Sequence, residues 1–371
     1  MSNQISHFYR FNSFRFFAAL LVMVGHAESI REASSKSNLH SFSFFHNGQN
    51  AVTFFFVLSG FLITFLLLKE KNISDRINVK HFYWKRIVRI WPLYFLLLII
   101  GLVIQPLVIF IFKVEYHLPY NPLSVLPFFL LFVPGLTTFF FGNHLLEPLW
   151  SIGVEEWFYL IWGPFIKWIK RYLFWWIIGF LVLKITLNQL TIYRHFSPLV
   201  VYLVRMMQIE SMSLGALVAL LFFKSRSLIT SNNILRLLQY ISGALILAIV
   251  FFNQEIESVL AQFGINEKSS ITLLNAIVFT CFIGSIALHN KKHIILDHKW
   301  LNWCGEISYG IYMYHLLIVT AVWNIILLLQ MNFFWSTFFL HVGSLTLTIL
   351  IAGLSKKYFE NPILKFKNSI K

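Results

Sequence analysis

Charge is scarce in this sequence: 12% of its 371 residues are Asp, Glu, Lys or Arg, about half the share of an average soluble domain. That excludes a water-soluble globule. Glycine and proline are sparse as well, 17 and 10 residues, about 7% where roughly 12% is usual, so no long flexible linker or low-complexity stretch divides the chain. Cysteine is nearly absent. Cys281 and Cys304 show no metal-ligand or redox spacing and imply neither a disulfide nor a zinc site. No Walker A sequence, Rossmann glycine fingerprint or His-Glu-x-x-His helix occurs, so nucleotide hydrolysis, dinucleotide chemistry and zinc proteolysis lack their signatures and no metal is indicated.

What fills the chain is apolar: 58% of residues, including 41 Phe, 12 Trp and 14 Tyr. Runs of about 20 apolar residues recur along it, the length an α-helix needs to cross hydrocarbon. Ten spans are expected, near 14–31, 50–68, 90–112, 148–167, 172–189, 199–223, 235–252, 270–288, 307–329 and 333–354. The expected fold is therefore all-α, a polytopic membrane protein, with 1–371 as a single transmembrane domain and no soluble domain. A cleavable signal peptide over the first span is the alternative reading of its short apolar run and Gly25-His26-Ala27. It would discard two ionisable residues that need a reason to be there.

Thirty basic against fifteen acidic residues would suggest nucleic acid in a soluble protein. Here the distribution decides otherwise. With both termini in the cytoplasm, 23 of the 30 basic residues fall on one side, in 1–15, 69–92, 167–171, 224–236, 291–299 and 356–371, as the positive-inside rule requires. The partner is the anionic inner leaflet of the cell membrane and not nucleic acid. Residues 123–141 are apolar enough to span, but a crossing there would place Lys167, Lys170 and Arg171 outside. Pro127, Pro134 and Gly135 interrupt the run, so a re-entrant or broken segment is expected, buried in protein or lining a cavity.

Ionisable residues inside hydrocarbon cost about 2.5–3.5 kcal/mol each and are functional candidates for that reason. They are Arg15, His26, Glu28, Glu155, Glu156, Arg205, Glu210 and His315. Arg15 and His26 are eleven helical steps apart, so they share a face with an axial rise of about 16.5 Å. A neutral imidazole just past the midplane can accept a proton; a snorkelling arginine and a helix-end histidine are the structural alternative. In Trp150 to Tyr159, Ser151, Glu155 and Tyr159 form one helical stripe while Glu156 points about 100° away. The two carboxylates suit orientation of a histidine or a sugar hydroxyl, or simply favour the helix N-terminus. Arg86 and Arg89, at i and i+3, present two forked cations for phosphates or anchor the topology. His315 shares a face with Ser308 and Tyr312 and reads first as a packing residue. Arg205 and Glu210 are expected to neutralise one another.

Arg15 with His26, Phe54 to Ile63, Arg86 and Arg89 before Trp91-Pro92, Trp150 to Tyr159, Ile307 to His315, and Phe359-Glu360-Asn361-Pro362 occur in the order found in the acyltransferase 3 family of integral membrane proteins, which the whole chain resembles. The resemblance implies a ten-helix fold that takes an acyl group, usually acetyl from acetyl-CoA in the cytoplasm, and places it on a carbohydrate or lipid-linked glycan at the outer face. By that likeness Arg15 contacts the donor, His26 is catalytic, Arg86 and Arg89 lie at the CoA mouth, and Ser151, Val154 and Glu155 match a family segment. Glu155 or a neighbour would hold the imidazole, with Glu156, Tyr159 and His315 in support. Acyl-CoA is then a donor substrate rather than a resident cofactor. Direct transfer and an acyl-histidine intermediate both stand, as do a standalone transferase and one served by a separate extracytoplasmic partner protein. A polysaccharide or lipid exporter or secondary transporter is the rival from another class, although no internal repeat supports it. An unrelated acyltransferase fold using His315 as base would leave Arg15 and His26 unexplained.

Overall fold

In the computed structural model, the described residues are 8, 10–113, 118–169, 172–194, 196–225, 232–265, 267–289 and 295–368. They contain helices and no strand. Lys170, Arg171, Arg226, Lys291, Lys292 and Lys371, all used in the charge argument, lie outside them. Nine helical stretches among the described residues are long and apolar enough to cross a membrane. Seven of the ten rods are named here: α1 is Phe11–Ala33, α2 Gly48–Ser74 and α3 Val79–Phe112, α4 Leu149–Trp168, α5 Leu173–Tyr193, α6 Pro198–Phe223 and α7 Asn232–Gln262. The rest are α8 Lys268–Leu288, α9 Ser308–Leu328 and α10 Phe333–Lys367. The rod outside the nine is α4, whose Glu155 and Glu156 sit in the middle of an otherwise apolar run.

Local chemistry sets several boundaries. Asp75 ends α2 in the left-handed region, and the Asn78 side chain then accepts from the His81 N–H to start α3. Asn332 starts α10 the same way through the Trp335 N–H. Within α6, Gln208 has φ 40°, which breaks the helix between Met206 and Ile209. Segment 123–141 is two short helices, Pro122–Leu130 and Gly135–Phe141, about 13 and 10 Å long, with Phe132 between them at φ 56°. Neither can cross a bilayer alone.

Packing follows close backbone approaches. A Cβ on Gly60 of α2 would lie 2.0 Å from the Met212 carbonyl oxygen, and one on Gly215 of α6 would lie 2.0 Å from that of Val57. Only small residues permit that crossing. Gly153 does the same for α4, where a Cβ would lie 2.4 Å from the Phe132 carbonyl oxygen; the broken segment is thereby held against α4, and Tyr94 of α3 donates to Phe129 O at 2.9 Å. Helix α9 packs between α1 and α10. Leu237, Tyr240, Ile241, Leu245 and Leu247 of α7 are exposed, a face suited to lipid. Three π-helical turns interrupt the long rods: Ile100–Ile104 in α3, and Phe339–Gly343 and Lys356–Glu360 in α10. The bundle end that holds Phe11 and Lys367 is the lower end below; the end that holds Ala33 is the upper.

Candidate active site

Arg15 on α1 reaches the interior because Ser59 on α2 and Glu155 on α4 supply a polar wall inside an apolar bundle. Arg15, Ser59, Arg86, Arg89, Ser151, Glu155, Tyr159, Ser308, Tyr309 and Tyr312 line one cavity of about 160 Å³. The sequence-predicted stripe is real in space. Tyr159 donates to Glu155 Oε2 at 2.7 Å and Ser59 donates to Glu155 Oε1 at 2.6 Å. Both carboxylate oxygens are thus engaged. Glu156 points away, as its 100° offset requires, and accepts from Trp91 Nε1 at 3.0 Å. The Arg86 guanidinium lies 5.7 Å from the Tyr159 ring and 5.8 Å from that of Phe82, a cation–π setting. Arg86 and Arg89 form no ion pair among the described residues, whereas Glu155 lies within Coulombic reach of both Arg15 and Arg86.

In the wall of this cavity Ser151 Oγ and the Tyr312 hydroxyl are 2.8 Å apart, and Tyr312 also bonds the Pro148 carbonyl oxygen. His315 is fully buried. Its Nδ1 lies 2.6 Å from the Tyr312 carbonyl oxygen, so Nδ1 carries the proton and donates, leaving Nε2 as a lone-pair acceptor with no protein partner. The His26 ring is 5.2 Å from that of His315 and remains half-buried. The order from below upward is therefore cations, carboxylate, tyrosine, then two imidazoles.

Two expectations are corrected. The residue beside the His26 imidazole is His315 and not Glu155, because Ser59 and Tyr159 hold the Glu155 carboxylate at the cavity wall. Arg205 and Glu210 do not neutralise one another: Arg205 pairs with Glu267 at 3.2 Å and Glu210 with Lys184 at 3.5 Å. The break at Gln208 interrupts the span that carries both residues.

Reading residues alone also missed a cluster at the upper end. Glu28, fully buried, accepts from the Leu39 N–H at 2.6 Å and lies 2.7 Å from His341 Nε2. Arg31 lies 3.4 Å from Glu28, donates to Thr337 at 2.9 Å and sits 4.5 Å from the Phe333 ring. The π-helical turn at Phe339–Gly343 carries His341 to this partner. Glu28 was visible as a buried charge, but its partner is more than 300 residues away. Ser59, a lone hydroxyl in an apolar run, was legible only as a helix residue that needed an acceptor.

A family model described as an acyltransferase domain matches residues 8–353. The chain belongs to that family, the acyltransferase 3 family to which its motifs point. It is 27% identical over 349 residues to the peptidoglycan O-acetyltransferase OatA of Listeria monocytogenes, covering 88% of this chain and 53% of that one. It is 27% identical over 333 residues to the O-acetyltransferase OatA of Staphylococcus aureus, covering 84% and 52%. The chain spans about half the length of these relatives. No solved structure matches it.

Proposed function

From that membership we propose that this chain is a membrane O-acetyltransferase that moves an acetyl group from acetyl-CoA on the cytoplasmic side to a hydroxyl of a cell-envelope glycan on the outer side. The observation that carries this reading is the convergence of Arg15, Arg86 and Arg89 on one cavity that lies beneath the paired His26 and His315 rings. Forked cations suit the phosphates of the donor, and a pantetheine arm passing Arg15 must span about the 16.5 Å rise to His26.

His26 is the base. It takes the proton of the acceptor hydroxyl as the oxygen attacks the thioester carbonyl carbon; the C–S bond breaks and the thiolate leaves, to be protonated as free CoA. His315 is oriented by its Nδ1–H bond to Tyr312 O, and its free Nε2 lone pair, on a ring 5.2 Å from that of His26, is available to take up a proton or a substrate N–H or O–H beside the base. Glu155, Ser59 and Tyr159 form the polar wall past which the thioester travels, and Ser151 with Tyr312 fixes the turn that carries His315. Glu156 braces α4 against α3 through Trp91.

The test is reconstitution of the purified chain in vesicles with labelled acetyl-CoA on one side and a soluble glycan acceptor on the other. Label appearing in the glycan supports the reading; a glycan carried across intact and unlabelled would replace it with export. Sidedness is tested separately: cysteines placed at Ser37 and Ser258 should react with an impermeant thiol reagent in intact cells, and one at Ser74 only after permeabilisation.

A further inference from the structure

The proposed chemistry uses Arg15, Arg86 and Arg89 but leaves other cations at the lower mouth without a task. The last helical turn, Lys365–Asn368, is fixed against α3, where Trp84 Nε1 donates to the Phe366 carbonyl oxygen at 2.8 Å. Trp84 immediately precedes Lys85 and Arg86. Lys367 consequently lies within Coulombic reach of Lys85, Arg86, Arg89 and Lys356. The carboxylates nearby are fewer than the cations: Glu360 accepts from Lys356 at 3.1 Å and Glu156 from Trp91, each through one oxygen, while Glu155 accepts from Ser59 and Tyr159 through both. Lys85, Arg89 and Lys367 form no ion pair among the described residues. A fold that gathers more cations than carboxylates raises its own free energy, and an arriving polyanion relieves that repulsion.

Depth along α3 orders the sites. The thioester end of the donor lies deepest, so its diphosphate falls at Arg86 and Arg89, which line the cavity. The ribose phosphate is farther from the thioester and falls nearer the start of α3. We propose, on the acyl-CoA reading above, that Lys367 and Lys85 bind the ribose 3′-phosphomonoester of the coenzyme, so that the C-terminal turn is part of the donor site. The π-helical turn at Lys356–Glu360 redirects the end of α10 toward α3 and makes this possible.

The experiment measures binding of CoA and of dephospho-CoA, which lacks only that phosphate, to the full chain in phosphatidylcholine nanodiscs. The parent should prefer CoA. Lys367→Gln should lose about fivefold in affinity for CoA, the scale of one exposed charge pair, and nothing for dephospho-CoA; Lys367→Arg should keep the preference. Lys367 is exposed, so the substitution leaves the core intact. Equal losses on both nucleotides, or none on either, overturn the proposal. So does an effect of Lys367→Gln confined to capture of phosphatidylglycerol vesicles, which assigns the cations to lipid headgroups. A parent that binds neither nucleotide overturns the acyl-CoA reading itself.

Discussion

The two ends of the bundle treat charge in opposite ways. At the upper end Glu28, Arg31 and His341 are buried or nearly so and bond one another through Glu28, with further hydrogen bonds to Leu39, Ser336 and Thr337. At the lower end Arg86, Arg89, Lys85 and Lys367 are gathered with no ion pair among the described residues. A mutually bonded buried cluster holds helices together; a cluster with excess cations is open to an anion, the role proposed for it above. The same residue types thus carry different meanings, and the difference is whether their partners belong to the protein.

The largest effect expected is at the junction between the two ends. His26→Ala should lower acetyl transfer by about 10²–10⁴-fold, the range of general-base contributions, with membrane abundance unchanged; retained activity in a well-expressed variant breaks the assignment. Next, Glu28→Ala leaves Arg31 buried without its carboxylate and should cost about 3 kcal/mol of stability, read as a lower melting temperature in detergent. An unchanged melting temperature would erase the contrast drawn above.

Acid probes the upper end further. His144, between the broken segment and α4, accepts the Leu146 N–H at Nδ1 and lies 3.3 Å from Thr138 Oγ1 at Nε2, so it is satisfied as a neutral ring. Burial lowers its pKa to about 4. Since the unfolded chain binds this proton near pH 6.5 and the folded one near 4, stability falls as the pH drops between those values and levels off below them. About 2 kcal/mol should be lost at pH 5 relative to pH 7; the test is whether His144→Gln flattens that part of the stability curve. The smallest effect belongs to the lower end: Arg86→Lys keeps charge but removes the fork, so CoA should bind about tenfold more weakly with an unchanged melting temperature. Equal CoA binding by that variant would reduce Arg86 to a topological anchor.

Much of this was legible in sequence. The spans follow from apolar length, and the Arg15–His26 face and the Ser151–Glu155–Tyr159 stripe follow from helical periodicity, because each lies within one rigid rod. The broken segment was readable from Pro134 and Gly135, beside which the chain does break at Phe132, whereas Pro127 sits inside the first short helix. The failures share another cause. Arg205 and Glu210 were paired within one span that Gln208 interrupts, and His315 on α9, expected only in support, is the ring that stands beside His26.

The sequence by itself determined where the long apolar helices lie and which residues within an unbroken rod share a face, because these depend on the 1.5 Å rise and 100° turn of a single helix. Only the tertiary structure decided which faces meet: that Ser59 and Tyr159 close on Glu155, that His315 stands beside His26, that Glu28 finds His341, and that the last turn brings Lys367 to Arg86. Those pairings are fixed by where two backbones can approach, as at Gly60 with Met212 and Gly215 with Val57, and contacts between rods leave no periodic signal along either rod.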